Sequence, residues 1–222
     1  MSLIMKLSAA QVAAKLKFIN HYIKSNNPAD GSTVDANANI SHKNVATLAQ
    51  EIHKDINIQL NRALMTQKIT ELYDAELAQE YLRQLETHEI YKHDETHPFF
   101  PYCASITLYP FLLNGLTTLG GESLAPKHLD SFCGSFVNLV FAISAQFAGA
   151  CGTPEFLLYF DYFARRDYGA EYLTTHANEV ANHLQHVVYA LNQPAAARGY
   201  QSIFWNISVF DTDFLQSLFA EF

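Results

Sequence analysis

The sequence predicts a helix-rich α/β domain. Three observations point there: capped runs with apolar residues at helical spacing, two short stretches of strand character, and a long uncharged segment that reads as a buried helix. With 222 residues, 49% of them apolar, the chain is long enough to build a sizeable core.

The elements follow in order. Ser8 and Gln11 form a capping-box pattern ahead of a helical run to about Lys24. SNNPADGSTVDANANIS, from Ser25 to Ser41, is a turn-rich loop. Ser41 caps a second helix carrying Val45, Leu48, Ile52 and Ile56 at helical spacing. A third runs from near Asp74 to Thr87, with Leu77, Tyr81 and Leu85 on one face. Pro98, Pro101 and Pro110 forbid a long helix in the next stretch. There CASITLY, Cys103 to Tyr109, reads as a short strand.

Ser131 to Pro154 carries no charge and is long enough to span a bilayer. Its polar residues Ser131, Ser135, Asn138, Ser144, Gln146 and Thr153 favour a buried helix instead. Phe132, Phe136, Leu139, Ile143 and Phe147 make a bulky stripe. Ser135, Asn138, Ala142, Ala145 and Gly149 make a small one, suited to a helix–helix interface within or between subunits. Thr153-Pro154-Glu155 reads as a helix start, with a cap, an N1 proline and an acid in the first turn. Gly169 ends that helix. Another runs from about Glu171 to Leu191, and Pro194 bars its continuation. In SIFWNISVF, Ile203, Trp205, Ile207 and Val209 alternate with Phe204, Asn206 and Ser208, the pattern of a strand whose polar face lines a site.

Net charge is −8 and no Lys/Arg cluster occurs, which argues against nucleic acid or an anionic membrane as partner. A nucleotide remains compatible, because helix N-termini and backbone N–H groups hold phosphates without a basic surface. Cys103, Cys133 and Cys151 are odd in number and form no C-x-x-C, so they read as reduced thiols of a cytoplasmic protein. The start, MSLIMKLSAAQ, has no long apolar run, and no signal peptide is expected.

HDETHPFFPYC, from His93 to Cys103, poses a choice between a metal site and a bare thiol. His88, His93, His97 and Cys103 are the available ligands, yet no H-E-x-x-H, cysteine pair or acid-rich calcium loop accompanies them. The same histidines are read first as hydrogen-bonding groups of a polar loop, ahead of metal ligands. Cys103, leaving a loop for a strand, can present its sulfur to a pocket, with a nearby histidine tuning it, but from the residues alone a buried, inert position is the better reading. Cys133 and Cys151 sit in apolar surroundings and read as core. Asn192, Arg198, Gln201 and Asn206 gather around the last helix end, loop and strand. They suit a phosphate or ribose, or simply local loop hydrogen bonding. No Walker A, GxGxxG or Ser-His-Asp signature is present.

Several of these stretches carry a resemblance. NANISHKNVATLAQEIHKDINIQLNR, HEIYKHDE, PYCASITLYPFLLNGL, PKHLDSFCGSFVNLVFAISAQFAGA, TPEFLLYFDYFARRDYG and NQPAAARGYQSIFWNISVFD, in that order, resemble the anaerobic, class III ribonucleoside-triphosphate reductases, which are glycyl-radical enzymes. The resemblance runs from about Asn37 to the last residue.

It implies the first half of a ten-stranded α/β barrel of the glycyl-radical type. Residues 1–222 are then a single partial catalytic domain, with 1–36 an N-terminal helix and loop and 37–222 the half-barrel region. In the family a glycyl radical, installed by a radical-SAM activase, generates a thiyl radical that abstracts the ribose 3′-hydrogen. A second cysteine on the opposite face of the substrate takes part in removing the 2′-hydroxyl, with formate as reductant in many members. Cys103 matches that second cysteine. His93-Asp94 matches the His-Asp element before its strand. RGYQSIFWNIS is similar to the Gly-x-Gln stretch and following strand that border the substrate, so Asn192, Arg198, Gln201 and Asn206 join His93 and Asp94 as substrate-binding candidates.

The glycyl-radical motif, the zinc-site cysteine pairs, a thiyl-cysteine loop and the effector-binding cone have no counterpart here. The resemblance therefore implies a reductase portion that binds no cofactor or metal of its own and is inactive without a C-terminal half. Its implied partners are ribonucleoside triphosphates, dNTP and ATP effectors, the activase acting through the other half, and a second copy in a homodimer. A half-barrel also exposes strand edges and an apolar face, which favours self-association. The alternatives are a non-catalytic nucleotide-binding or dimerisation remnant of that family, and a metal enzyme using His93, His97 and Cys103.

Overall fold

The computed structural model describes residues 7–24, 45–92, 95, 102–117, 122–147, 149–193, 202–210, 213 and 216. The described residues divide into two compact units, one up to residue 95 and one from residue 102.

The first unit is helical. Ser8 and Gln11 close a reciprocal box: the Ser8 N–H donates to Gln11 Oε1 at 2.9 Å and the Gln11 N–H to Ser8 Oγ at 3.2 Å. Helix α1 (Ala9–Lys24) starts there. Helix α2 (Val45–Leu72) and α3 (Ala75–Glu86) form a hairpin. On α2, Leu48, Ile52 and Ile56 are half-buried while Val45 is exposed; Ser41 lies outside the described residues. Asp74 caps α3, its Oδ1 accepting the Leu77 N–H at 2.8 Å. The inner face of α3 differs from the one expected. Ala78 and Leu85 are buried with Tyr81 and Leu82 half-buried, whereas Leu77 is exposed. Ala78 has no bulk to hold the helices apart, so the contact line passes through it instead. Buried Asn61 on α2 anchors the chain beyond α3: its amide donates to the Glu95 carbonyl at 2.8 Å and its Oδ1 accepts from Lys92 at 3.0 Å. Arg62 grips the Glu95 carboxylate with two N–H donors at 3.1 and 2.7 Å.

The second unit is α/β. Strands β1 (Ala104–Ser105), β2 (Cys151–Gly152) and β3 (Trp205–Asn206) form a parallel sheet in that order. Ala104 pairs with Cys151 and Cys151 with Trp205; Ser105 pairs with Gly152 and Gly152 with Asn206. Helices α4 (Tyr109–Asn114) and α5 (Leu129–Ser144) lie between β1 and β2, and α6 (Phe156–Tyr168), α7 (Tyr172–Thr175) and α8 (Ala177–Leu191) between β2 and β3. Helix α5 packs on α6 and α8. Its bulky stripe is core as expected, with Phe132, Phe136 and Leu139 buried and Ile143 half-buried. Phe132 touches the rings of Phe111, Phe136, Phe156 and Phe163, and Trp205 lies against Phe136 and Phe156. No helix among the described residues is long and apolar enough to cross a membrane.

Tertiary contacts move several expected boundaries. Helix α5 stops at Ser144, whose hydroxyl donates back to the Phe141 carbonyl at 3.1 Å, so Phe147 and Gly149 lie beyond it. The strand in CASITLY keeps only Ala104–Ser105, because the Glu155 carboxylate takes the Leu108 N–H at 2.6 Å and the Thr107 hydroxyl at 3.0 Å. The same contact engages Glu155 away from α6, and the Thr153 hydroxyl is occupied by Trp205, so α6 begins at Phe156 rather than at Thr153. Gly169, at φ 88°, ends α6 as expected. The helix expected from Glu171 to Leu191 is broken at His176. The hydroxyls of Thr174 and Thr175 both donate to the Glu171 carbonyl, and His176 leaves helical geometry at φ −135°. In SIFWNISVF only Trp205–Asn206 is strand; Ile203 is buried, but Ile207 and Val209 are exposed, so the alternation ends at Trp205.

Candidate functional site

The sheet of the second unit has two unlike faces. Register partners across a parallel sheet share a face, and neighbours along a strand alternate. One face carries Ala104, Cys151 and Trp205 and meets the aromatic core. The other carries Ser105, Gly152 and Asn206. Cys103 stands two residues before Ser105, just ahead of β1, where continued alternation would put it toward that second side.

This face is open and polar. Ser105, Asn206 and Cys103 are all exposed. Gly152 stands between Ser105 and Asn206, and the nearest atom a Cβ there would meet is Ser105 Oγ at 3.4 Å, an ordinary contact. The glycine leaves a shallow gap between two hydrogen-bonding side chains, flanked by a thiol. Neighbouring strands lie about 4.8 Å apart, so Ser105 and Asn206 stand about 10 Å from each other, room for a small polar ligand between them.

The three cysteines separate by environment. Cys133 is buried, and burial, with Asp130 adding to it, pushes its thiol up to about 12. Cys151 is buried on the core face. Both are the core residues the sequence indicated. Cys103 alone is exposed, and its sulfur accepts the Ala150 N–H at 3.2 Å. Between the buried and the accessible reading of Cys103, the structure favours the accessible one.

Of the other candidates, Asn206 shares the face of Cys103. Asn192 is the exposed C-cap of α8, where its N–H bonds to the last turn. His93, Asp94, Arg198 and Gln201, with the loop ligand His97, lie outside the described residues. No group of three metal-ligating side chains occurs among the described residues. The sequence reading missed Ser105 and Gly152. The only available signal was their i+2 and strand-pairing relation to Cys103 and Asn206, and pairing is not written in a single strand.

A family model for anaerobic ribonucleoside-triphosphate reductase matches residues 50–217. The chain belongs to this family. Solved anaerobic ribonucleotide reductases from Thermotoga maritima are similar in fold as well. One, with MES in the active site, superposes with a TM-score of 0.76 at 25% identity over 95% of this chain and 33% of its own. Another, with dATP bound in the specificity site, gives a TM-score of 0.73 at 25% identity over 93% of this chain and 32% of its own. A third, in complex with dATP and CTP, gives 0.66 at 30% identity over 74% and 28%. The chain therefore spans about a third of the length of the reductases it matches. Comparison with curated proteins gives no match. The helix-rich α/β architecture with its small parallel sheet is that of the corresponding part of the reductase fold.

Proposed function

We propose that this chain supplies one wall of the catalytic site of an anaerobic ribonucleoside-triphosphate reductase, with Cys103 as the thiol on one face of the substrate. The observation that carries this is the position of Cys103: the one exposed cysteine, beside a polar row of Ser105 and Asn206, in a chain of this family.

In that role the sulfur stands ready to give up its hydrogen at ribose C2′ as the hydroxyl departs. A thiol suits this step because its S–H yields hydrogen readily and the oxidised sulfur returns by reduction, with formate as the reductant. Asn206 and Ser105 offer donors and acceptors to the ribose or its phosphates. His93, Asp94, Asn192, Arg198 and Gln201 complete the proposed substrate-binding set. The radical that starts the reaction, and the zinc site, belong to other parts of a cytoplasmic, homodimeric enzyme, and the activase acts there. Ribonucleoside triphosphates are the substrates and dNTP or ATP the effectors, in keeping with the dATP and CTP held by the similar Thermotoga maritima structure.

The test is turnover in the full-length, activated reductase. Cys103→Ala abolishes deoxyribonucleotide formation while substrate and effector binding survive. Undiminished turnover in Cys103→Ala removes Cys103 from the chemistry. Effector binding by a wild-type protein that never turns over points instead to a nucleotide-binding or dimerisation remnant.

A further inference from the structure

The ladder between β1 and β2 slips at the residue that carries the sulfur. Ala104 donates its N–H to the Ala150 carbonyl at 3.0 Å, and Ile106 to Gly152 at 2.9 Å. Continued by one rung, this parallel pattern would give the Ala150 N–H to the Tyr102 carbonyl. Instead Gly149 donates to Tyr102, and the Ala150 N–H turns to Cys103 Sγ at 3.2 Å. One residue of slippage has moved a backbone donor from a carbonyl to a thiol.

Gly149 is what permits the slip. A Cβ at this position would lie 2.9 Å from Cys103 Sγ, 2.8 Å from the Tyr102 carbonyl oxygen and 3.1 Å from the Tyr102 ring. The carbonyl is backbone, already accepting the Gly149 N–H, and moves less freely than a side chain, so the sulfur would have to leave its seat. The contrast with Gly134 is direct, because a Cβ there meets nothing within 4 Å. With the Ala150 N–H on its sulfur, the side chain of Cys103 has a partner that favours one torsion over the others.

We propose that the Gly149–Ala150 peptide is the positioning element of the Cys103 thiol, holding the sulfur by the Ala150 N–H and keeping its place clear at the Gly149 α-carbon. The catalytic consequence rests on the role of Cys103 given above; the positioning itself does not.

Two measurements test the two parts separately. Amide hydrogen exchange on this chain reads the bond: in Cys103→Ala, exchange at Ala150 accelerates about tenfold while the amides of Ala104 and Ile106 hold their rates. Unchanged exchange at Ala150 overturns the positioning, whatever the catalytic role of Cys103. Steady-state kinetics of Gly149→Ala in the full-length reductase reads the consequence: kcat falls roughly a hundredfold with KM within about twofold, the signature of a displaced reacting atom rather than a lost binding contact. Where Cys103→Ala abolishes turnover, an unchanged kcat in Gly149→Ala overturns the inference. Turnover retained in Cys103→Ala, with the Ala150 effect present, overturns the catalytic reading and leaves the positioning standing. Should Gly149→Ala fail to fold, the exchange comparison decides alone.

Discussion

The indole N–H of Trp205 donates to the hydroxyl of Thr153 across 2.7 Å, joining β3 to the residue that follows β2. Thr153 is fully buried, so water does not replace either partner at that end. Thr153→Val keeps the shape and removes the acceptor. The unpaired indole then costs about 1–3 kcal/mol. The urea midpoint of the chain should fall accordingly, while Thr153→Ser stays near wild type. Equal midpoints for Val and wild type would remove this bond from the stability of the sheet.

Asp167 gives the fold an acid-sensitive joint. Its Oδ2 accepts the Leu129 N–H at 2.7 Å and its Oδ1 lies 3.0 Å from His128 Nδ1, at the start of α5. Burial pushes the carboxyl up, but the Leu129 amide and the His128 ring outweigh it and hold the group below the usual carboxylate range. A depressed folded pKa adds stability at pH values above the unfolded one, near 4. That stability is lost as pH falls through the folded value. Asp167→Asn exchanges a charged acceptor for a neutral one, which should cost on the order of 1 kcal/mol at pH 7 and flatten the stability profile below about pH 4. Urea unfolding at pH 7 and pH 3 measures both. A variant that loses as much stability on acidification as wild type would place the acid sensitivity elsewhere.

Thiol accessibility should follow the structure. Under native conditions iodoacetamide should add one adduct per chain, mapped by peptide mass to Cys103. Cys133 and Cys151 should react only after denaturant is added, since both are buried and Cys133 is held protonated. Native labelling of Cys151 would mean that the core face of the sheet opens to solvent.

Phe132 is the hub of the aromatic core, fully buried and in contact with four other rings. Phe132→Ala should cost about 3–5 kcal/mol, enough to unfold the second unit in many contexts. Near-ultraviolet circular dichroism would lose its aromatic signal while much helical signal persists. A fully native aromatic spectrum in this variant would show that the cluster repacks around the gap.

What the sequence made legible is what it encodes locally. The Ser8–Gln11 box, the helix start near Asp74, the Gly169 stop and the bulky stripe of α5 as far as Ile143 each depend on residues within a few turns of one another, and each stands as read. Thr153 and Glu155 looked like helix-start residues by the same local logic. Their side chains were taken by Trp205 and by Thr107, about fifty residues away along the chain, where periodicity carries no information. The site divides in the same way. Cys103 and Asn206 stood out by residue type and context. Ser105, Gly152 and Gly149 matter through pairing with distant strands, and a glycine announces only that room is needed, not for what.

The register of the three strands has a kinetic consequence. The Ala150 amide that meets Cys103 lies 47 residues further along the chain, and Trp205 lies 52 residues beyond Thr153. Both closures are long-range, and such parallel pairings form late and slowly compared with helices, whose contacts are local. The thiol therefore acquires its surroundings near the end of folding. An intermediate with its helices formed would carry Cys103 as an ordinary, freely rotating side chain until the segment entering β2 docks beside β1.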